Sequence, residues 1–486
     1  MLFNSLQFLI FFPLITILYF ALPHKYRAGL LLIASCVFYM AFIPAYILIL
    51  FFLIVIDYIA GILIEDAKGN RRKLFLLMSL AANIGVLAIF KYYYFINENL
   101  LRIANFLDLN YPTPLLRIIL PIGLSFHTFQ AMSYTIEVYR SRQKAERNPI
   151  VYALYVMFYP QLVAGPIERP QHLIHQFYER HSFDYKRVTD GIKLMAWGLF
   201  KKVVIADRLA ILVNQVYGAP QDYTGLPLIL ATVFFSFQIY CDFSGYSDIA
   251  IGAAQVMGFN LMNNFNRPYF SKSIAEFWKR WHISLSTWFR DYLYIPMGGN
   301  RVGRDRWRFN IFVTFLVSGL WHGANWTYVI WGALNGFYML CSYGTGGLRK
   351  KINNFTGLER YRPLHNYIRI LLTFSMVSFA WIVFRSKNMS DAIYIITHIF
   401  RGTGGAETGH LKSGLTGLGL SNHELAIAAA SILFMEFVHV VQRHRSIRHM
   451  LSERPAWFRW TIYYSLLFGI IFFGVFKDTQ FIYFQF

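Results

Sequence analysis

Long apolar segments separated by short polar ones run along almost the whole chain of 486 residues. Apolar runs of roughly 18 residues or more are long enough to cross a bilayer as α-helices. Runs of about this kind lie near residues 6–22, 28–43, 45–64, 74–95, 115–136, 192–217, 226–257, 311–340, 367–384, 425–441 and 460–476. The pattern predicts about eleven transmembrane helices. Because a backbone exposed to lipid must form its hydrogen bonds within each helix, the predicted fold class is an all-α polytopic membrane protein.

The texture of the chain changes along its length, although nothing indicates a separate soluble domain. Residues 1–147 read as regular apolar helices with short loops, whereas 148–308 mix shorter apolar stretches with polar, proline-bearing sequence. Irregular backbone at membrane depth survives only where protein buries it or where it lines a cavity. Residues 367–486 return to simple spans, with loops predicted at 340–366 and 401–422. We therefore expect one membrane-embedded domain over 1–486, with N-terminal helices at 1–147, a catalytic core at 148–340 and C-terminal helices at 341–486.

Composition and charge support a membrane protein and argue against nucleic-acid binding. The chain is 56% hydrophobic and 15% charged, against about a quarter charged in soluble proteins. The net charge of +21 comes from basic residues placed between apolar runs. The first basic loops hold Lys25 and Arg27; Lys68, Arg71, Arg72 and Lys73; and Arg140, Arg142, Lys144 and Arg147. The positive-inside rule puts these loops in the cytoplasm and the N-terminus outside. The first apolar run lacks a positive leader and a small-residue cleavage site, so we expect it to be retained.

Metal and disulfide chemistry are not indicated. Three cysteines, Cys36, Cys241 and Cys341, are scattered in apolar surroundings without a C-x-x-C motif, which is typical of buried small hydrophobic residues. Three histidines at positions 172, 175 and 181 lie in a polar loop and lack the HExxH pattern of a zinc helix. No G-x-S-x-G, Walker A or G-x-G-x-x-G phosphate loop indicates a hydrolase, an ATPase or a dinucleotide enzyme.

A histidine, His322, lies inside the apolar run 311–340, where an ionisable side chain costs free energy and therefore indicates function. Gly319, Gly323 and Ala324 remove side-chain bulk around it, which would let another molecule approach closely. A neutral imidazole in a low-dielectric pocket is a competent general base near neutral pH. The chemistry that fits is removal of a proton from a hydroxyl group that attacks an acyl carbonyl. The alternative is a histidine satisfied within the core.

A basic and aromatic segment precedes this run. Ser273 followed by Glu276 is a capping-box pattern, and apolar residues recur from there at helical spacing until Pro296 ends the helix. Glu276 can pair with Arg280, four residues on. One interpretation is a membrane-surface anchor with its indoles at headgroup level; the other is a functional helix, because His282 adjoins the tryptophans. The cations that could hold phosphates of a lipid or of a nucleotide-bearing cofactor are Lys279, Arg280, Arg301, Arg304, Arg306 and Arg308.

Further polar or aromatic groups stand in apolar sequence and could line the same site. The candidates for a tunnel lining are Trp321, Asn325, Asp242, Ser244 and Tyr246, and similar groups occur at Ser247, Asp248, His127 and Gln130. For the polar members an interhelical hydrogen bond is the simpler interpretation, since such bonds hold membrane helices together.

These segments resemble the membrane-bound O-acyltransferase (MBOAT) family, of the bacterial alginate O-acetyltransferase (AlgI-like) type. The most similar are Phe277-Trp-Lys-Arg-Trp-His282 and Ser318-Gly-Leu-Trp-His-Gly-Ala324. The strongest similarity also includes 266–271 and 294–301, and further similar stretches lie at 3–9, 121–126, 132–136, 160–166 and 242–248, all in family order. The last third of the chain is similar only in its general hydrophobic texture.

The resemblance implies a ring of tilted helices, with re-entrant or interfacial helices, around a central tunnel that two funnels reach from opposite sides. The family's catalytic histidine falls on His322 and its second motif histidine on His282. The implied reaction takes an acetyl group from cytoplasmic acetyl-CoA and passes it to a polysaccharide outside the bacterial inner membrane, such as an alginate-like exopolysaccharide or peptidoglycan. A partner protein outside the cytoplasm completes transfer in related systems. No metal and no nucleic acid is implied.

Three alternatives remain open at this point. The first is D-alanyl transfer to teichoic acid by a protein resembling DltB, which a carrier protein feeds. The second is a transporter or flippase of an acylated carrier, since polytopic shape and intramembrane polar groups suit both classes. The third is a scaffold without catalytic activity. Within the enzyme class, direct transfer and a covalent acyl-enzyme are both open.

Overall fold

The structure is a computed structural model that describes residues 1–114, 116, 120–163, 165–401, 418–443, 447–476 and 481–482. The described part of the chain is helical and holds no strand. Six of its helical stretches are long and apolar enough to cross a membrane: Pro44–Asp66, Asn70–Phe106, Leu226–Met257, Arg362–Arg385, Asn422–Val441 and Ala456–Phe473. The all-α polytopic fold class is therefore confirmed, whereas the number of about eleven spans stays a prediction.

The helices of the described residues are as follows in chain order. They are α1 Leu6–Ala21, α2 His24–Met40, α3 Ile47–Asp66, α4 Asn70–Leu87, α5 Tyr93–Phe106, α6 Leu124–Tyr139, α7 Pro149–Met157, α8 Tyr159–Leu162, α9 Pro170–Leu173, α10 Tyr185–Leu199, α11 Asp207–Gly218, α12 Leu226–Met257, α13 Ile274–Arg280, α14 Ile283–Phe289, α15 Arg304–His322, α16 Trp326–Gly344, α17 Gly346–Thr356, α18 Arg362–Arg385, α19 Met389–His398, α20 Asn422–Val441, α21 Ile447–Ser452 and α22 Ala456–Phe473. Three π-helical segments, Ala88–Tyr92, Phe200–Ala206 and Arg290–Tyr294, lie between or beside them.

Two compact units divide the chain. One comprises Met1–Met195 with Ser247–Asn263, and the other comprises Ala196–Tyr246 with Asn264–Phe486. Both histidines singled out by the sequence belong to the second unit.

In the first unit, buried polar groups join three apolar helices. Asp57 of α3 accepts hydrogen bonds from Ser79 Oγ at 2.6 Å and from Asn83 Nδ2 of α4 at 2.8 Å. The Ser79 hydroxyl also lies 3.1 Å from Thr135 Oγ1 of α6. A polar group at membrane depth needs such partners because lipid offers none.

Apolar patterning located most helices but was wrong about one run. The predicted span 226–257 coincides with α12, whereas the run 311–340 is two helices, α15 and α16, separated at 323–325. Asn325 begins the second helix, since its Oδ1 accepts a hydrogen bond from Thr327 N–H at 3.1 Å. The predicted loop 340–366 is also wrong in part, because it contains α17. Most of the predicted loop 401–422 lies outside the described residues.

The helices α15 and α16 touch backbone to backbone at two glycines. A Cβ atom on Gly332 would lie 2.5 Å from the carbonyl oxygen of Phe315, and one on Gly319 would collide with the carbonyl oxygen of Tyr328. The ring of Tyr328 likewise fills the space beside Gly323. The sequence-based idea that Gly319 and Gly323 leave room for another molecule is therefore wrong, because α16 occupies that room.

We expect Gly332→Ala to destabilise the protein by about 1–3 kcal/mol, the usual effect of overpacking. Gly344→Ala is the matched control in the same helix, since a Cβ atom there meets nothing within 4 Å. The better helix propensity of alanine should leave the control unchanged or up to about 1 kcal/mol more stable. Thermal unfolding of the purified variants in detergent measures both, and equal melting temperatures for the two variants would refute the contact.

Candidate active site

His322 is the last residue of α15 and lies among aromatic rings. Its imidazole centroid is 5.1 Å from the ring of Trp331 in α16 and 5.5 Å from the ring of Phe384 in α18, with the ring planes close to perpendicular. The adjacent Trp321 lies at 5.0 Å. The side chain is buried, with 5% of the residue exposed. Three helices thus surround one imidazole with apolar walls.

His282 lies beside the same tryptophan. It joins α13 to α14, is 1% exposed, and its ring is 6.4 Å from the ring of Trp321. Phe243 of α12 contacts it edge-on at 4.6 Å. His282 lies outside the six long apolar helices, and burial, with a smaller contribution from His322, lowers the pKa of its imidazole well below the usual range. The structure therefore brings the two predicted catalytic histidines to one aromatic cluster.

The basic aromatic segment is not one helix and is not a surface anchor. The predicted cap is confirmed, because Ser273 Oγ accepts from Glu276 N–H at 3.2 Å, and Glu276 also pairs with Arg280 at 2.6 Å. The segment nevertheless breaks between α13 and α14, and Trp281 and Trp288 are buried. The anchor interpretation is wrong because the indoles face the interior of the protein rather than lipid headgroups.

A buried ion cluster lies in the same unit. Lys202 Nζ is 2.8 Å from Asp207 Oδ1 and 2.7 Å from Asp242 Oδ1, and all three side chains are almost fully buried. The neighbouring Lys201 donates a hydrogen bond to Ser244 Oγ at 2.9 Å. Both lysines lie on the π-helical segment Phe200–Ala206, a distortion that often accompanies functional sites.

Three of the predicted lining residues, Asp242, Ser244 and Tyr246, contact these lysines. The Tyr246 ring lies 5.4 Å from Lys202 Nζ and 4.5 Å from the ring of Phe481. Asp242 also accepts a hydrogen bond from the backbone N–H of Ile482 at 2.7 Å. Phe243, the residue between Asp242 and Ser244, contacts His282, so consecutive residues of α12 reach the lysines and one of the two histidines.

Sequence reasoning missed Lys201, Lys202 and Asp207, although a signal was present. All three lie within the predicted span 192–217, where ionisable residues indicate function by the same rule that singled out His322. It also missed Trp331, which has no local feature that separates it from Trp326, the other tryptophan of α16.

The predicted phosphate-binding cations at the start of α15 lie far from His322, whereas Lys279 and Arg280 directly precede the turn that holds His282. Arg304 begins α15 and His322 ends it, so the helix separates them by about 27 Å at about 1.5 Å per residue. The cations Arg301, Arg304, Arg306, Arg308 and Lys279 are exposed, and Arg280 is half-buried. A donor that reaches both ends of α15 must therefore be long.

The remaining predicted polar residues make structural contacts. Asn325 Nδ2 donates to the backbone oxygen of Lys387 at 3.1 Å, which ties the start of α16 to the end of α18. In the first unit, Gln130 donates to the backbone oxygen of Tyr155, and the His127 ring lies 6.0 Å from that of Tyr39. The described residues contain no group of three or more His, Cys, Asp or Glu side chains arranged to hold a metal ion.

Comparisons with known proteins agree on one family. The sequence model of the membrane-bound O-acyltransferase family matches residues 124–384, a region that contains both histidines. The chain is 40% identical over 396 residues to the Pseudomonas aeruginosa protein named "Probable alginate O-acetylase AlgI". The aligned residues make up 81% of this chain and 73% of that protein.

Two other relatives carry different names. A peptidoglycan O-acetyltransferase of Helicobacter pylori is 33% identical over 411 residues, which are 79% of this chain and 75% of that protein. A teichoic acid D-alanyltransferase of Bacillus subtilis is 28% identical over 278 residues, which are 55% of this chain and 69% of that protein.

We expect Lys202→Met to cost about 3–5 kcal/mol of stability, because it leaves two buried carboxylates without their cation. Lys193→Met is the matched control, since Lys193 of α10 pairs with Asp190 at 3.2 Å in a partly exposed position. Its loss should cost at most about 1 kcal/mol. Replacing Asp207 and Asp242 by Asn alongside Lys202→Met should restore part of the stability. Melting temperatures in detergent test this, and equal losses for the two lysine variants would contradict it.

Proposed function

The chain belongs to the membrane-bound O-acyltransferase family and is an O-acyltransferase, and on that premise we propose that it passes acetyl groups from cytoplasmic acetyl-CoA toward a polysaccharide outside the cytoplasm. The observation that carries the proposal is the pair of buried imidazoles, His282 and His322, beside Trp321. Both imidazoles lie among apolar rings, and the neutral form of an imidazole is the one that can accept a proton.

In the proposed reaction His322 is the general base. Its imidazole takes the proton of the acceptor hydroxyl, whose oxygen attacks the acetyl carbonyl of the thioester. The new C–O ester bond forms as the C–S bond breaks, and the imidazolium returns the proton to the departing thiolate. His282 orients the hydroxyl or stabilises the oxyanion that develops on the carbonyl oxygen. General-base catalysis of this kind contributes about 10²–10⁴-fold to a rate.

In this proposal the donor's phosphates bind at the arginine-rich end of α15. Arg301, Arg304, Arg306 and Arg308 are exposed there, and guanidinium groups suit phosphate geometry. Lys279 and Arg280, at the end of α13, are the further cations that we propose for the donor. Since His322 lies at the other end of the same helix, the thioester extends along α15 to reach it. Acetyl-CoA fits this arrangement, because its charged nucleotide and its thioester are at opposite ends of a long flexible arm.

The relatives, which are named for alginate, peptidoglycan and teichoic acid, support a cell-envelope polymer as acceptor. The higher identity and coverage of the O-acetyl-transferring relatives support acetyl over D-alanyl transfer. We propose an alginate-like exopolysaccharide or peptidoglycan as acceptor, with a partner protein outside the cytoplasm that completes transfer. The enzyme spans the bacterial inner membrane, with its N-terminus outside and its basic loops in the cytoplasm.

His322→Ala should abolish acetyl transfer while leaving folded protein in the membrane, because the base is lost but the helix pair α15–α16 is not. Release of free CoA from acetyl-CoA by the purified protein, with soluble alginate oligosaccharides or peptidoglycan fragments as acceptor, measures the effect. His439→Ala is the control, since His439 is equally buried in the same unit but packs against Tyr240 instead. Near-normal CoA release by His322→Ala would refute the role of His322 as general base. If the wild-type protein transfers an acyl group only from a D-alanyl carrier protein, acetyl-CoA is not its donor.

The triple variant Arg304→Ala, Arg306→Ala, Arg308→Ala should raise the KM for acetyl-CoA at least tenfold with little change in kcat, because it removes uniform binding of the donor. The matched control neutralises three equally exposed cations of α17, Arg349, Lys350 and Lys351. The same kinetic assay measures both triple variants. Equal KM values for the two would show that the arginine-rich end of α15 does not hold the donor.

A further inference from the structure

The backbone at His282 has a conformation that other parts of the fold must hold in place. Its φ of 42° and ψ of 56° are left-handed, and among the described residues other than glycine only Asp108, Ser141 and Arg267 share a positive φ. This region is disfavoured for a residue with a Cβ atom, which crowds the backbone carbonyl oxygen. Such turns persist where surrounding contacts over-determine them, and they cluster at functional sites.

Asn264 supplies three of those contacts. Its backbone oxygen accepts a hydrogen bond from Ile283 N–H at 2.9 Å. Its side-chain Oδ1 accepts from the backbone N–H of Ser284 at 3.3 Å and from the hydroxyl of Ser284 at 3.0 Å. Asn264 and Ser284 are both buried, so water does not compete for these bonds. The two residues that directly follow His282 are thus held by one asparagine.

The same short segment fixes the residues before His282. The backbone N–H of Asn266 donates to the carbonyl oxygen of Arg280 at 2.9 Å. Between the two asparagines, Phe265 places its ring nearly parallel to the His282 imidazole, 6.5 Å away, and edge-on to Trp281 at 5.1 Å. Residues 264–266 therefore hold the turn on both sides and line the imidazole.

The side chain of Asn264 caps the N-terminus of α14, a role that the residue directly before a helix usually fills. The first N–H groups of α14 need acceptors from outside the helix, and the side chain of the preceding residue commonly provides one. His282 occupies that preceding position, yet its side chain makes no capping hydrogen bond. Because Asn264 provides the acceptor from another segment, the imidazole points at Phe243 and Trp321 instead.

We propose that Asn264 is a positioning residue, which caps α14 in place of His282 and so aims the His282 imidazole at the reacting groups beside Trp321. The kinetic consequence rests on the proposed function; the structural consequence does not. A displacement of the ring by about 1 Å costs on the order of 10- to 100-fold in rate.

The kinetic test compares asparagine variants. Asn264→Ala removes the acceptor and should lower kcat for CoA release about 10- to 100-fold with KM for acetyl-CoA within about threefold. Asn264→Asp keeps an acceptor at the same position and should recover most of kcat. Asn310→Ala is the matched control, because Asn310 is an equally buried amide that holds the backbone oxygens of Met297 and Gly299. It should lower stability but not kcat, and an equal kcat loss in Asn310→Ala would overturn the proposal.

A double-variant cycle separates positioning from a general loss of packing. In a His282→Ala background, the further change Asn264→Ala should leave kcat unchanged within about twofold, since no imidazole remains to be positioned. Multiplicative losses would mean that Asn264 acts elsewhere, and the proposal would fail. If Asn264→Ala does not fold, Ser284→Ala replaces it in both tests, because this variant removes only the hydroxyl donor to Asn264 Oδ1. Ser284→Ala should lower kcat by a smaller factor than Asn264→Ala. That loss should vanish in the His282→Ala background.

A second readout does not depend on any activity. Diethyl pyrocarbonate labels accessible imidazoles, and mass spectrometry of the labelled protein gives the rate at His282. We expect slow labelling in the wild type and in Asn310→Ala, and at least fivefold faster labelling of His282 in Asn264→Ala, with the rate at the buried His439 unchanged. Unchanged labelling of His282 in Asn264→Ala would overturn the positioning role. An inactive wild type with this labelling pattern would instead refute the proposed acetyl transfer and leave the positioning of His282 intact.

Discussion

The backbone contact between α15 and α16 is the constraint on which the candidate site depends. Gly319 and Gly332 let the two helices touch, so Trp331, which precedes Gly332, meets the His322 imidazole at 5.1 Å. Small residues at a helix contact let two backbones approach closely, and such close packing holds helices together. The glycines thereby fix where α15 ends relative to the aromatic walls of α16, and a bulkier residue at Gly332 would displace those walls.

The buried ionisable side chains of the candidate site lie on irregular segments of the backbone. His322 stands where α15 stops, His282 stands in a left-handed turn, and Lys202 stands on a π-helical segment. A regular helix satisfies its backbone internally and directs side chains at fixed intervals. The irregular segments instead bring His282 and His322 to one aromatic cluster and Lys202 to two carboxylates. The rings around His322 and His282 bury both imidazoles within the protein. The same burial gives each charged member of the lysine cluster a fixed partner.

The sequence predicted the helical class and singled out His322 for one reason, the cost of polar groups in lipid, whereas His282 was singled out because it adjoins the tryptophans of the basic segment. That cost forces apolar runs into helices, as in α12, and makes His322 conspicuous. It did not predict the break after His322, because one long apolar helix and two packed ones have the same composition. Nor did it predict that Trp281 faces the protein interior. Helical spacing shows which side chains share one face of a helix, but not whether that face packs against protein or lipid. Asn264 gives no local signal at all, because the backbone and hydroxyl groups that it binds lie about twenty residues further along the chain.

The most direct measurement is an experimental structure of the protein with a non-hydrolysable thioether analogue of acetyl-CoA. The acyl group should lie beside Trp321 with room for one hydroxyl oxygen within about 3.2 Å of a His322 nitrogen, the reach of a general base. The nucleotide phosphates should lie against the arginines at the start of α15. An analogue whose acyl group contacts neither His322 nor His282, or whose phosphates bind away from those arginines, would contradict the proposed reaction path.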